Sequence, residues 1–314
     1  MYKKKRRLKK EVIIGAVILL AVIIIGILAF NYFSYHSSYT YKLKEVGYQD
    51  DEVETILNNL EDTQIDDILK KEYNRNIPKL IVQKYFIYEN LDRYSKYMDA
   101  NTEESPKNVV AIVNVNADYD PYTHTKKTDM SKKNLILTNK YNYLDKTYTP
   151  DDHVKISNRY AYEDNHVREE VNDQYVSMWN AANEEGLVLI ANSSFRSYES
   201  QDAVWKRYKN QRGEEYADKY AARAGYSEHQ TGLCIDIVSD GAIANDFEET
   251  EEYKWLQKNA YKYGFILRYP KGKEKITGYS YESWHYRYVG VEAAKEIHDA
   301  NITFDEYYVY YLAK

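Results

Sequence analysis

The chain has 314 residues, 44% hydrophobic and 29% charged, which suits one sizeable globular domain with a smaller companion and excludes a disordered polymer. The formal net charge of -6 is unevenly placed: residues 1–30 hold seven bases against one acid, a local balance of +6, so the other 284 residues carry -12. An acidic body excludes a nucleic-acid partner, which needs clustered bases against phosphate.

The chain opens on a basic flank, residues 1–11, with Lys3, Lys4, Lys5, Arg6, Arg7, Lys9 and Lys10. Residues 12–30 follow without a charge and are almost wholly aliphatic. At about 1.5 Å rise per residue they reach roughly 28 Å, close to the hydrocarbon thickness of a bilayer. A cleaved signal peptide is the alternative, but such a segment is shorter and ends at small residues, whereas this one ends in Leu28-Ala29-Phe30-Asn31-Tyr32-Phe33. A retained single-pass membrane anchor is expected. The basic flank places the N-terminus in the cytoplasm and the rest of the chain outside.

Residues 31–40 read as a short polar stalk. Residues 41–106 read as a small helical module, with apolar positions at helical spacing in Val53, Ile56, Leu57 and Leu60, then Ile65, Ile68 and Leu69. The polar stretch 101–108 marks a boundary, and residues 107–314 form the main domain. Its expected strands are Val109–Val115, Leu135–Thr138, Leu187–Ala191, Leu233–Val238, Phe265–Tyr269 and Ser283–Tyr288. Its expected helices are His166–Glu185, Tyr198–Gln211, Glu214–Ala222, Glu251–Tyr263 and Val291–Ala300. Helices and strands mix without a regular βαβ beat, which predicts an α+β fold with a mainly antiparallel sheet and flanking helices.

The single cysteine, Cys234, leaves any metal to be held by histidine and carboxylate. Two of the seven histidines have informative neighbours. In Ser227-Glu228-His229-Gln230-Thr231-Gly232-Leu233-Cys234-Ile235-Asp236, Gly232 permits a tight turn into a strand. Along that strand Leu233, Ile235 and Ile237 face one way, and Cys234 and Asp236 the other. An acid between two isoleucines is costly unless paired or metal-bound. In Glu282-Ser283-Trp284-His285-Tyr286-Arg287-Tyr288, His285 and Arg287 share a strand face, with Glu282 just before it. Two imidazoles and one carboxylate leave a fourth tetrahedral position for water, the open pattern of catalytic zinc, and a nearby unligated glutamate can take that water's proton. By spacing alone, a buried His–Asp pair and a surface histidine explain the same residues equally well.

These two stretches resemble the signatures of the VanY-type D-alanyl-D-alanine carboxypeptidases, within the wider LAS group of metallopeptidases. The family pattern Ser-x-His-x-x-Gly-x-Ala-x-Asp matches Ser227 to Asp236, with Cys234 in place of alanine, and a second pattern matches Glu282, Trp284 and His285. SSFRSYESQ at 193–201, GFILRYPKGKEKITGY at 264–279, WHYRYVG at 284–290 and LILTNKYNYLDKTYTPDD also resemble family sequence. The likeness covers roughly 107–314. It implies a LAS/hedgehog-like peptidase domain acting on peptidoglycan stem peptides. In that reading His229, Asp236 and His285 bind Zn²⁺, and Glu282 is general base and then proton donor. Arg196 stabilises the developing oxyanion, and Ser227, Gln201 and Tyr269 line the substrate pocket. Trp284 is expected as a packing wall, and Cys234 as a small buried substitute for alanine. D,D-cleavage of a pentapeptide is expected, with L,D-cleavage of a tetrapeptide as the alternative. A non-catalytic wall-binding protein with a structural metal is the competing class. A serine hydrolase ranks low for want of a Gly-x-Ser-x-Gly elbow.

Overall fold

The computed structural model describes residues 10–241 and 244–313. The basic flank up to Lys9 lies outside the described residues. The chain divides into two compact units, one ending at Lys107 and the other beginning at Asn108.

The first unit opens with helix α1, Lys10–Ser37. Its aliphatic side chains stand exposed along the whole length, from Val12 to Phe33. A helix apolar all round, with none of its span buried in protein, is a candidate membrane span by length and composition. It runs seven residues past the expected end at Phe30, so most of the expected polar stalk is a helical continuation. Short helices follow: α2 Tyr39–Val46, α3 Asp50–Asn59, α4 Asp62–Ile68, α5 Ile77–Ile81 and α6 Leu91–Ala100. Each is too short to persist alone in water. They are held by one apolar cluster that includes Leu43, Val53, Ile56, Ile65, Ile68 and Ile77.

Helix α7, Pro106–Asn114, replaces the strand expected at Val109–Val115. Its residues from Val109 to Asn114 are all buried, so the run shows no exposed face from which to read a helical period. The strand expected at Leu135–Thr138 is likewise absent: a 3-10 segment ends at Leu135, and Ile136 and Leu137 are buried as loop residues. Two small ribbons follow. Strand β1 (Lys126–Lys127) pairs with β2 (Asn142–Tyr143), and β3 (His153–Lys155) with β4 (His166–Arg168). The first three residues of the helix expected from His166 are therefore strand, and helix α8 spans Glu169–Glu184.

The central sheet has four antiparallel strands in the order β5 (Leu189–Ser193), β6 (Cys234–Ser239), β8 (His285–Tyr288), β7 (Phe265–Leu267). Helices α9 (Tyr198–Arg212) and α10 (Glu214–Tyr220) lie between β5 and β6 in sequence, and α11 (Glu251–Asn259) and α12 (Glu274–Thr277) between β6 and β8. Helices α13 (Val291–Ala300) and α14 (Phe304–Tyr307) follow, and a π-helical turn over Tyr308–Leu312 is the last described element.

Strand alternation separates two faces of this sheet. Ile235, Ile237, Tyr286 and Tyr288 join Val171, Tyr175 and Met178 of α8 in the main core. On the opposite face, Cys234 stands across from Arg287 and Asp236 across from His285. All six β6 residues are buried, so the polar face is covered as well.

Candidate active site

A 3-10 turn over Glu228–Thr231 delivers His229. Ser227 caps it by accepting from the His229 backbone N–H at 3.3 Å, and Gly232 ends it in the left-handed region at φ 67°. A Cβ at that position would be strained by the left-handed backbone and would stand 3.1 Å from side-chain carbons of Arg168 and Pro150, which would have to give way, so glycine is favoured there. Two residues after Gly232 the chain enters β6 at Cys234, and Asp236 follows two residues on. On the next strand Asp236 and His285 are direct cross-strand partners. Glu282 precedes β8 in a loop tied down by its backbone N–H donating to Tyr269 O at 3.1 Å.

These side chains converge. His229 Nε2 lies 3.5 Å from Asp236 Oδ2, and His285 Nδ1 lies 3.1 Å from Asp236 Oδ1 and 3.6 Å from Glu282 Oε2. The two imidazoles stand 5.0 Å apart between centroids, at 87°. His229 Nδ1 is 2.6 Å from Ser194 O. A carbonyl only accepts, so that nitrogen carries the proton and Nε2 presents its lone pair to the cleft.

The donor set fits a zinc ion. Ligand atoms about 2.1 Å from a tetrahedral zinc stand roughly 3.4 Å apart, the spacing found here. Asp236 Oδ1 is buried and forms no hydrogen bond among the described residues, despite its closeness to His285. Polar atoms that converge without satisfying one another are the mark of a cation site. Donor atoms of His229, Cys234 and His285 also lie within 4.8 Å of one another. We favour Asp236 over Cys234 as the third ligand, because Asp236 lines the cleft and Cys234 does not.

Electrostatics sort the acids. Burial opposes charge on Asp236, but His229 and His285 outweigh it and hold the carboxyl at about 2. Burial also pushes Glu282 up, as does the Asp236 charge, to about 7 despite His285. Two neighbouring carboxylates thus separate into a fixed anion and a group that exchanges protons near neutrality. Cys234, raised by burial but lowered more by His229 and His285, stands at about 7.

One cleft is lined by His229, Asp236, His285, Glu282, Arg196, Gln201, Ser227 and Tyr269, and Trp284 forms part of its wall. Arg196 donates to Gln201 Oε1 and Ser193 Oγ, each at 2.8 Å. Gln201 donates in turn to Ala222 O at 2.7 Å. Both ends of the Gln201 amide are thereby engaged in holding Arg196. Ser227 is similarly engaged as a turn cap. Tyr269 packs its ring 4.9 Å from that of His285.

Three buried charged residues were given no role by the sequence: Glu228, which also lines the cleft, and Arg268 and Arg287 beside it. Glu228 Oε1 accepts from Arg268 Nε at 2.8 Å and Arg287 Nη1 at 2.9 Å. Arg268 also pairs with Asp305 of α14. Burial would raise the Glu228 carboxyl, but the two guanidiniums hold it well below its ordinary range. The available signals were the place of Glu228 beside His229 and the shared strand face of Arg287 and His285.

Residues 164–291 match the family model described as D-alanyl-D-alanine carboxypeptidase, VanY. A D-alanyl-D-alanine carboxypeptidase of Enterococcus faecium is 30% identical over 233 residues, 72% of this chain and 73% of that protein. The chain belongs to the VanY family. The Bacillus subtilis (strain 168) protein YodJ is 44% identical to this VanY-family chain over 181 residues, 55% of the chain and 66% of YodJ. Among solved structures, the LdcB LD-carboxypeptidase aligns with a TM-score of 0.56 and 40% identity, over 60% of this chain and 91% of that one. The VanY domain thus coincides with the stretch that carries Arg196, His229, Asp236, Glu282 and His285.

Proposed function

We propose that this chain is a zinc D-alanyl-D-alanine carboxypeptidase that removes the terminal D-alanine from peptidoglycan stem peptides. The observation that carries it is the convergence of His229 Nε2, Asp236 and His285 Nδ1 beside Glu282, in a cleft that also holds Arg196. His229, Asp236 and His285 would hold the ion. Bound there, zinc supplies a Lewis acid that acidifies water and polarises the scissile carbonyl.

The remaining steps belong to the chain's own groups. Glu282, poised near neutrality, takes a proton from the attacking water and returns it to the departing D-alanine nitrogen. Arg196 is held by Gln201 and Ser193 with its guanidinium at the cleft, where a fixed cation stabilises charge developing on the carbonyl oxygen. Ser227 and Tyr269 shape the substrate side of the cleft, and Gln201 acts there through Arg196.

The likeness to an LD-carboxypeptidase at 40% identity favours a second reading, L,D-cleavage of a tetrapeptide stem. Both reactions release free D-alanine. Purified chain offered pentapeptide and tetrapeptide stems separately, with products identified by mass, distinguishes them. Release from neither stem would sink both readings.

We also propose that α1 anchors the chain in a membrane with the basic flank on the cytoplasmic side and the peptidase outside, where peptidoglycan is. Alkaline extraction followed by protease shaving of intact cells tests this. A soluble, protease-protected peptidase domain would contradict it.

A further inference from the structure

The two ring nitrogens of His285 face different surroundings. Nδ1 looks into the cleft, toward Asp236 and Glu282. Nε2 looks the other way, toward Glu228 Oε2 at 3.6 Å. Both Nε2 and Oε2 are buried and have no hydrogen-bond partner among the described residues, although each is the other's complement in chemistry. Glu228 Oε1 is already saturated by Arg268 and Arg287, which leaves Oε2 as the one free acceptor of that carboxylate. The acid is also immobile. Arg268 is pinned by Asp305, Asp305 accepts from Asn139 at 2.8 Å, and Arg287 donates to the Asn134 and Ile136 carbonyls. Two guanidiniums against two carboxylates make this cluster neutral, so it tolerates full burial.

We propose that Glu228 is a positioning residue for the metal centre: its free oxygen accepts the Nε2–H of His285 and locks that imidazole with the Nδ1 lone pair toward the ion. This rests on the reading that His285 binds zinc through Nδ1. A metal on Nδ1 forces the proton onto Nε2, and the donor then needs the acceptor that Glu228 holds ready. The 3.6 Å gap closes by a small ring movement. Because the carboxylate is fixed by residues of three other segments, the ring plane is set by the fold rather than by the metal alone. Partners of this kind orient a ligand and raise its basicity, and their loss costs typically 10–100-fold in metal affinity.

The test uses the full chain in detergent, stripped of metal and titrated with zinc against a competing chelator. Glu228→Gln should bind zinc about 10–100-fold more weakly than the unaltered chain. The double variant Glu228→Gln/Arg287→Gln restores neutrality, with Arg268 left to Asp305, so it folds without an uncompensated buried charge. It should remain as weak as the single variant. In ¹⁵N-histidine-labelled zinc-loaded protein, the His285 Nε2–H resonance should be downfield and should move upfield in both variants. Recovery of affinity in the double variant, or an unmoved resonance, would overturn the proposal by reducing Glu228 to charge balance. Unaltered chain that takes up no zinc would instead overturn the metal reading itself, and this inference with it.

Discussion

Asp236 and His285 meet across paired strands, Oδ1 to Nδ1 at 3.1 Å, on the sheet face turned away from the main core. Strand register thus fixes two of the three proposed ligands, and a capped turn brings the third within 3.5 Å. Removal of any one leaves two donors, too few to hold a structural or catalytic zinc tightly. His229→Ala, Asp236→Ala and His285→Ala should each lose zinc and turnover together, as metal analysis beside alanine release will show. A variant that kept its zinc while losing activity would remove that residue from the ligand set.

Glu282 behaves differently, because it stands next to the donors without completing them. Glu282→Ala or Glu282→Gln should keep about one zinc per chain while turnover falls by about 10²–10⁴, the usual contribution of a positioned general base. A zinc-free Glu282→Ala protein would make it a ligand instead.

The same glutamate sets a pH dependence. It works as a base only when ionised, so activity should fall as pH drops through its pKa. That value is about 7 without a metal, raised by burial and by Asp236, and a bound cation would lower it. The acidic limb of the kcat/KM profile should therefore lie at or below about 7. An acidic limb clearly above 7 would assign the base to another group.

Arg196 is expected to act late, on charge that exists only as the carbonyl is attacked. Arg196→Ala should cost about 10²–10³ in kcat with little change in KM, by comparison with loss of an oxyanion donor. Gln201→Ala removes one of the two side chains that hold the guanidinium, leaving Ser193, and should cost less. Equal loss in KM and none in kcat would make Arg196 a ground-state binding residue.

Cys234 lies beside both imidazoles but does not line the cleft. Cys234→Ala should retain zinc and activity, with a stability change of at most about 1.5 kcal/mol for one small buried side chain. Loss of zinc in that variant would transfer a ligand role to the thiol.

Much of the site was legible because it depends on short-range rules. Gly232 announces the turn, alternation from Leu233 to Ile237 separates the core face from the face of the proposed ligands, and Glu282 is three residues from His285. Strands β5 to β8 and helices α9 to α11 follow from periodicity and stop signals. What was illegible depends on burial. Val109–Val113 is β-branched but for Ala111 and wholly buried, so its helix reads as a strand, and Pro106 at the helix start was the better guide. His166–Arg168 pairs with a distant segment, which a local period cannot reveal. The Glu228–Arg268–Arg287 cluster joins residues 40 and 59 positions apart, and charges so placed read as surface until the fold is known.

Zinc content and alanine release, measured together on the purified full chain with and without chelator, address the metallopeptidase claim most directly. The expected result is about one zinc per chain and release of D-alanine from a pentapeptide or tetrapeptide stem that chelator abolishes and added zinc restores. Release that persists without metal, and that Glu282→Ala leaves unchanged, would contradict it.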